Sequence, residues 1–289
     1  MSLSIAYLIL AHGQPAQLGR LVARLSAPGV RCYLHIDANT DQATFDAIKA
    51  AMPASAAVTF IARRSCRWGG FSLVDATLDL VRAALKDGFD WAQLLSGADY
   101  PIKSSAQIST FLAQASAAGF IDLRSQNQFD VRYRWQAFFL EQLHGTRAGK
   151  ALQKLQRGLN RVGLRRSLPA PLTAVWAGSQ WWCLSSEACN ALILFVDEHP
   201  RVSAFFRSTL VPDEMFVQTV LMATSIGPQL ATHNLHQLRW QENAWSPAEF
   251  IQADVPQLLA SPALFARKFS PDGVTTGMID AALDITHSV

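Results

Sequence analysis

Residues 1 to 115 alternate short apolar runs with segments whose apolar positions recur every three or four residues. Ile5 to Ala11 is an unbroken apolar run of strand length, and Leu18, Leu21, Val22 and Leu25 follow at helical spacing within Pro15 to Leu25. The same alternation predicts strands over Arg31 to Ile36, Ala57 to Ile61 and Trp91 to Leu95. Between and after them it predicts helices over Thr44 to Ala51, Leu73 to Leu85 and Ser105 to Ala115. Repeated strand–helix units imply parallel strands with crossover helices, hence an α/β, Rossmann-like fold: a mostly parallel central sheet with helices on both faces. In such sheets ligands bind beyond the carboxyl ends of the strands. Those ends are His12, Asp37, the loop Arg67 to Ser72 and the segment Ser96 to Lys103.

The rest of the chain is less regular. Strands are expected near Gly119 to Asp122, Trp181 to Leu184 and Gln229 to Thr232, and helices over Glu187 to Glu198, Glu214 to Ala223 and Asp254 to Ala260. No internal repeat breaks the chain, which reads as one domain over 1–289, with an inserted stretch from about Val131 to Pro171. Within it, about 142–168 forms a basic helical insertion. No acidic residue occurs between Gln142 and Ser186, while Arg147, Lys150, Lys154, Arg157, Arg161, Arg165 and Arg166 supply seven cations. Leu152, Leu155, Leu159 and Val162 share their period, so a helix here is amphipathic with a basic face. It reads either as a solvated helix packed on the domain or as a surface for an anionic membrane or an acidic acceptor.

Composition narrows the classes. Half of the residues are hydrophobic and 16% charged, which excludes disorder. A net charge of +3 is too small for a general nucleic-acid binder, so no nucleic-acid partner is expected. The four cysteines show no CxxC spacing, which argues against thiolate metal sites and fits a reducing compartment. The N-terminus has no basic n-region, and no apolar stretch approaches the roughly 18 residues needed to span a bilayer. The expectation is a soluble, cytoplasmic protein, peripheral on the inner face of the plasma membrane if the basic helix docks there. Its alanine-rich composition reads as bacterial.

Several residues carry candidate chemistry. Arg267 and Lys268 lie side by side in the apolar run Leu264, Phe265, Ala266 and Phe269, where two adjacent cations call for an anion such as a nucleotide diphosphate. Glu214 is one of six glutamates and sits among Leu210, Val211, Pro212, Met215 and Phe216. A carboxylate in a first helical turn is ordinarily a cap, but apolar neighbours would suit this one to general-base work, with Asp213 left as the cap. Trp68, Gly69, Gly70, Phe71 and Ser72 open a helix after a strand, where glycines admit a ligand and an indole can stack on a base. Gly178, Ser179, Gln180, Trp181 and Trp182 offer a small polar step before an aromatic wall. Asp37 ends a strand, as an Asx turn or as an acceptor for ribose or base hydrogen bonds. No two aspartates stand two residues apart, so the Asp-x-Asp pair that commonly holds a divalent cation on a diphosphate is missing.

Together these segments resemble the core-2/I-branching enzyme family of glycosyltransferases, which includes peptide O-xylosyltransferase. Seven pieces match in family order: Leu10 to His12; His35 to Asp37; Trp68 to Ser72; Leu95 to Lys103 (Leu-Ser-Gly-Ala-Asp-Tyr-Pro-Ile-Lys); Gly178 to Trp181; Pro212 to Phe216; and Leu264 to Phe269. The resemblance implies a GT-A type fold, with 1–125 the nucleotide-binding half and 126–289 the acceptor half. It also implies a UDP-sugar donor, inversion at the anomeric carbon, no metal and no cofactor. By the same resemblance Glu214 is the catalytic base, and Leu10, His12, Asp37, Arg67, Trp68, Asp99, Ser179, Gln180, Arg239, Ser246, Arg267 and Lys268 bind the donor. Gln180 stands where the xylosyltransferases have an aspartate. Arg132, Arg134, Trp135, Trp181 and Trp245 are the expected surface for a glycan or glycolipid acceptor. A non-catalytic nucleotide-sugar-binding or membrane-docking scaffold of a polysaccharide assembly system is the alternative.

Overall fold

The computed structural model describes residues 3–143, 146–241 and 246–285. Seven strands form the main sheet: β1 (Ile5–Ala11), β2 (Val30–Ile36), β3 (Val58–Phe60), β4 (Trp91–Ser96), β6 (Gly119–Ile121), β7 (Trp182–Ser185) and β8 (Leu230–Ala231). Their order is β3-β2-β1-β4-β7-β6-β8. Strands β3, β2, β1 and β4 run parallel, while β7 is antiparallel to both of its neighbours. The first half therefore follows its strand–helix pattern, and the direction changes where the regular alternation ends.

Strand β1 lies between β2 and β4, and every one of its residues is buried. Because successive side chains of a strand point to opposite faces, one run serves two cores. Ala6, Leu8 and Leu10 join the core beneath α3 (Ser72–Asp87), α7 (Ser186–Glu198) and α9 (Phe216–Met222). Ile5, Tyr7, Ile9 and Ala11 join the core beneath α1 (Pro15–Leu25), α4 (Ser105–Ala113), α10 (Val255–Ala260) and α11 (Val274–Ile285). Helices thus cover both faces. Among the described residues no helix is long and apolar enough to cross a membrane.

Three strands were not legible in the periodicity. β5 (Asp99–Pro101), β9 (His236–Leu238) and β10 (Phe265–Arg267) form a second sheet of order β5-β10-β9. Each is three residues long, too short to show alternation, and they are drawn together from distant parts of the chain. The expected helix from Glu214 to Ala223 is also divided. Pro212 to Glu214 forms a 3₁₀ turn entered through Val211 at φ 51°, and α9 begins only at Phe216. Asp213 does not cap it, since the residue preceding α9 is Met215 and supplies no side-chain bond.

The basic segment does form a helix, α6 (Arg147–Arg161), with Thr146 accepting a hydrogen bond from the Gly149 amide at 3.1 Å. Its apolar stripe does not all face inward: Gln156 is buried, while Leu155 is 62% exposed.

Leu8, wholly buried at the centre of β1, is expected to lose about 2–5 kcal/mol of stability on replacement by Ala, read from urea denaturation.

Candidate active site

Loops at the carboxyl ends of β1, β2 and β4 are tied to one another by backbone and short side-chain bonds. Asp37 Oδ1 accepts from the Asn39 amide at 2.8 Å, an Asx turn, and from the Cys66 amide at 3.2 Å. The same oxygen therefore anchors the loop that carries Arg67 and Trp68. Thr40 Oγ1 donates to the His12 carbonyl at 2.9 Å, and the Gly97 amide donates to the Leu10 carbonyl at 3.1 Å. The His12 side chain is exposed, Leu10 is buried, and Trp68 is 61% exposed at the rim.

Gly69 adopts φ 73°, a conformation open to glycine, and its carbonyl accepts from the Val211 amide at 2.9 Å. That bond joins the tryptophan loop to the turn carrying Glu214. A side chain on Gly70 would collide with the Glu141 carboxylate. Glu141 accepts from Ser72 Oγ at 2.5 Å and lies at the start of α3, which has no cap of its own. No sequence pattern signals this contact, which joins residues 69 positions apart.

Glu214 is half-buried. Its Oε2 accepts from Arg134 Nη1 at 2.7 Å, and the Arg134 side chain is only 12% exposed. Arg134 also donates from Nε to Tyr133 Oη at 3.0 Å. The enclosed carboxyl of the pair at 213 and 214 is that of Asp213, contrary to the expectation that Glu214 would be the desolvated one. Asp213 Oδ1 is shut off from solvent without a hydrogen-bond partner among the described residues. Burial, followed by the neighbouring Glu214 charge, pushes the Asp213 carboxyl up to about 7. The turn takes this course because Pro212 is buried and Met215 and Phe216 are driven into the core, where Phe216 packs edge-on against both Phe71 and Phe206.

From Glu214 the framework continues to the cations. The Glu214 carbonyl accepts from the Gly178 amide at 2.9 Å, the Ser179 carbonyl accepts from Gln218 Nε2 at 2.7 Å, and the Ser179 amide donates to Asp122 at 3.2 Å. Gly178 lies so close to the Asp122 backbone that no side chain fits there. Ser179 and Gln180 are half-buried, and Trp181, 8% exposed, follows as the wall. The Arg267 guanidinium lies 4.7 Å from the centre of the Trp181 ring.

Arg267 is not left for a ligand alone to neutralise. Its Nη1 reaches Asp99 Oδ1 at 2.8 Å and also bonds Ser96 Oγ. Asp99 is fully buried and takes a further bond from the Ser96 amide at 2.6 Å, with His236 Nε2 3.8 Å from its other oxygen. Burial pushes the Asp99 carboxyl up, but Arg267 and His236 outweigh it and the net direction is down. Lys268, by contrast, meets only a hydroxyl among the described residues, Ser246 Oγ at 3.4 Å. Arg239 is engaged by Asp254 at 2.7 Å and by the Glu249 carbonyl, and it lies over Phe250.

The expected acceptor residues separate. Arg134 joins Glu214 and Trp181 joins Arg267, whereas Arg132 is exposed and paired with Asp130 at 2.6 Å. Trp135 is 7% exposed and packs with Phe205 in the core. Trp245 lies outside the described residues. A cavity of about 890 Å³ opens instead at the other end of the sheet, beside Gly29 and Phe89, where Asp87 is already bonded by Tyr33 and Arg31.

A mostly parallel sheet with helices on both faces binds ligands beyond the carboxyl ends of its strands, and here those ends carry acid, cation and indole side chains in one bonded framework. The chain belongs to the Core-2/I-Branching enzyme family, whose model matches residues 5–260. It is 28% identical over 305 residues to "Xylosyltransferase oxt" of Drosophila pseudoobscura pseudoobscura, a match covering 92% of this chain and 32% of that protein. Against human "Xylosyltransferase 1" the identity is 25% over 286 residues, covering 92% and 28%. The chain thus spans about a third of the length of these curated relatives. Among solved structures, S. aureus TarS 1-349 in complex with UDP aligns with 98% of this chain and 65% of its own, at 9% identity and a TM-score of 0.40. Core-mannan synthase A from Aspergillus fumigatus, in its Mn/GDP form, aligns with 78% and 71%, at 7% identity and a TM-score of 0.40.

Asp213 also sets a pH dependence. Its folded carboxyl holds a proton up to about pH 7, whereas the unfolded group releases it near 3.8, so the folded state binds more protons in that window. Stability is therefore expected to fall as pH rises through it. Asp213→Asn should flatten this loss, as measured by chemical denaturation at about pH 5 and about pH 8.

Proposed function

We propose that this chain transfers a sugar from a UDP-sugar to a hydroxyl of a glycan acceptor, with inversion and without a metal. The observation that carries the proposal is the Glu214–Arg134 pair, a half-buried carboxylate held in one orientation beside the step Gly178 to Trp181. An inverting transfer needs one displacement: the acceptor oxygen bonds to the anomeric carbon as the bond to UDP breaks. Glu214 takes the hydroxyl proton during that attack, and Arg134 aims its carboxylate. Restricting the base to one orientation before substrate arrives lowers the ordering cost of the step.

The leaving diphosphate requires positive charge. Arg267 presents donors but its charge is already balanced by Asp99, so Lys268 supplies the greater share of uncompensated charge, with Ser246 beside it. The absence of any Asp-x-Asp pair from the sequence supports this assignment of the metal's usual task to side chains. Asp37, His12, Arg67 and Trp68 surround the place for the nucleoside, Leu10, Ser179, Gln180 and Arg239 complete the donor side, and buried Asp99 acts on it through Arg267. GlcNAc, xylose or a similar sugar fits the family and the names of its relatives. Of the expected acceptor residues, Arg134 and Trp181 take the acceptor side, since Arg132 is paired with Asp130 at the surface and Trp135 is packed in the core. The setting proposed is bacterial polysaccharide or glycoconjugate synthesis in the cytoplasm.

Glu214→Gln is expected to lower the transfer rate by about 10²–10⁴-fold while UDP binding, followed by calorimetry, is retained; near-normal turnover would refute the base assignment. Lys268→Ala should weaken UDP binding by about tenfold to a hundredfold. Transfer by the unaltered protein should continue in EDTA, and its collapse on chelation would instead point to a metal on the diphosphate.

A further inference from the structure

Helix α6 plays no part in the framework around Glu214 and Arg267, yet it carries the most uneven charge in the chain. Residues of an α-helix are set ~100° apart, which places Leu152, Gln156 and Leu159 on one side. Those are the residues that face the domain, buried or half-buried. Leu155 and Val162 lie on a flank, 62% and 74% exposed, and Leu164 just beyond the helix is 63% exposed. Next to that flank Lys150, Lys154, Arg157 and Arg161 are all exposed, with no acidic residue in the sequence from Gln142 to Ser186. A helix that only packs on its own domain turns its largest apolar side chains inward. Here an apolar flank and a cationic face are presented to the outside together.

The segment is held firmly in that attitude. Arg166, three residues past Gly163, donates to the carbonyls of Ala137 at 3.0 Å and Ser208 at 2.6 Å and to that of Phe205. Its guanidinium also stacks on Phe138 and Phe205, at 4.7 and 4.1 Å from the ring centres. Burial brings it down to about 10, with no carboxylate bonded to it among the described residues. Beside it a cavity of about 620 Å³ is walled by Phe138, Leu159, Leu164 and Phe205, and exposed Arg165 and Arg201 stand at its edge.

We infer that this face docks on an anionic phospholipid bilayer, with Leu155, Val162 and Leu164 entering the boundary between headgroups and acyl chains and the cations meeting lipid phosphates. The charge complementarity singles out an anionic surface, and the exposed aliphatic flank distinguishes a lipid surface from a purely polyanionic chain. The inference does not depend on which sugar is transferred or on whether Glu214 is the base.

Vesicle flotation of the full chain tests it. The protein should float with phosphatidylglycerol vesicles and not with phosphatidylcholine vesicles, and raised ionic strength should weaken the association. Replacing Lys154, Arg157 and Arg161 by Gln should lower the affinity about fivefold for each cation removed. The pair Leu155→Ser and Val162→Ser should also weaken binding, with circular dichroism confirming that each variant remains folded. Failure of the unaltered protein to float with phosphatidylglycerol would overturn the inference. So would equal flotation of the serine variant, or retention on heparin without flotation, which would assign the face to an acidic glycan.

Discussion

The buried carboxylate of Asp99 is the interaction on which the site depends. A charge wholly removed from water is costly unless it is paired and hydrogen-bonded, and Asp99 has Arg267, the Ser96 amide and the Ser96 hydroxyl as partners. Those partners come from the end of β4 and from β10, which are far apart in sequence. Satisfying one carboxylate therefore fastens the small sheet to the large one. It also sets Arg267 against Trp181, leaving Lys268 next along the chain as a cation without a carboxylate partner among the described residues. Removing Arg267 would leave an uncompensated buried charge, so the role of this arginine in the fold cannot be separated from its place in the site.

Close backbone approaches extend that order to the carboxylate at 214. Gly178 touches the Asp122 backbone and bonds the Glu214 carbonyl, and Gly69 bonds Val211. The Glu214 turn is thus gripped from two sides by loops that also carry Trp68 and Trp181. Its two acids have opposite environments. Asp213 is enclosed and favours its protonated form, while Glu214 is turned toward Arg134 and partly toward solvent. Adjacent residues in one turn cannot point the same way, and the burial of Pro212 and Met215 decides which of them goes inside.

Much of the architecture is legible in the sequence. Ile5 to Ala11 and Pro15 to Leu25 are observed with the expected bounds, and the other early elements differ from expectation by a few residues at their ends. These elements are long enough for their periodicity to report burial. The short strands β5, β9 and β10 were missed because three residues carry no period and these include Asp99 and Pro101, Gln237 and Arg267, whereas the equally short β3 and β6 lie in apolar stretches, and α8 (Pro200–Phe206) and α11 were missed for want of a clear pattern. The region from Glu214 to Ala223 has the composition of a single helix, and the left-handed Val211 before it and the non-helical Met215 (φ −142°, ψ −32°) within it divide it. On the site, sequence order brought Glu214, Asp37, Trp68, Asp99, Arg267 and Lys268 forward as candidates. It could not pair Glu214 with Arg134, Arg267 with Asp99, or Glu141 with Ser72.

The distinction has a physical basis. Strand and helix identity, the two-faced burial of β1, the basic stretch around α6 and the absence of an Asp-x-Asp pair are local properties, set by residue type and spacing, and the chain order alone determines them. Which acid is enclosed, which cation keeps an unmatched charge and which side of α6 is turned outward are long-range properties. They depend on desolvation and on partners 80 or more positions away, as Arg134 is from Glu214 and Asp99 from Arg267. The tertiary structure decided those because the free energy of a charge is set by what surrounds it in space.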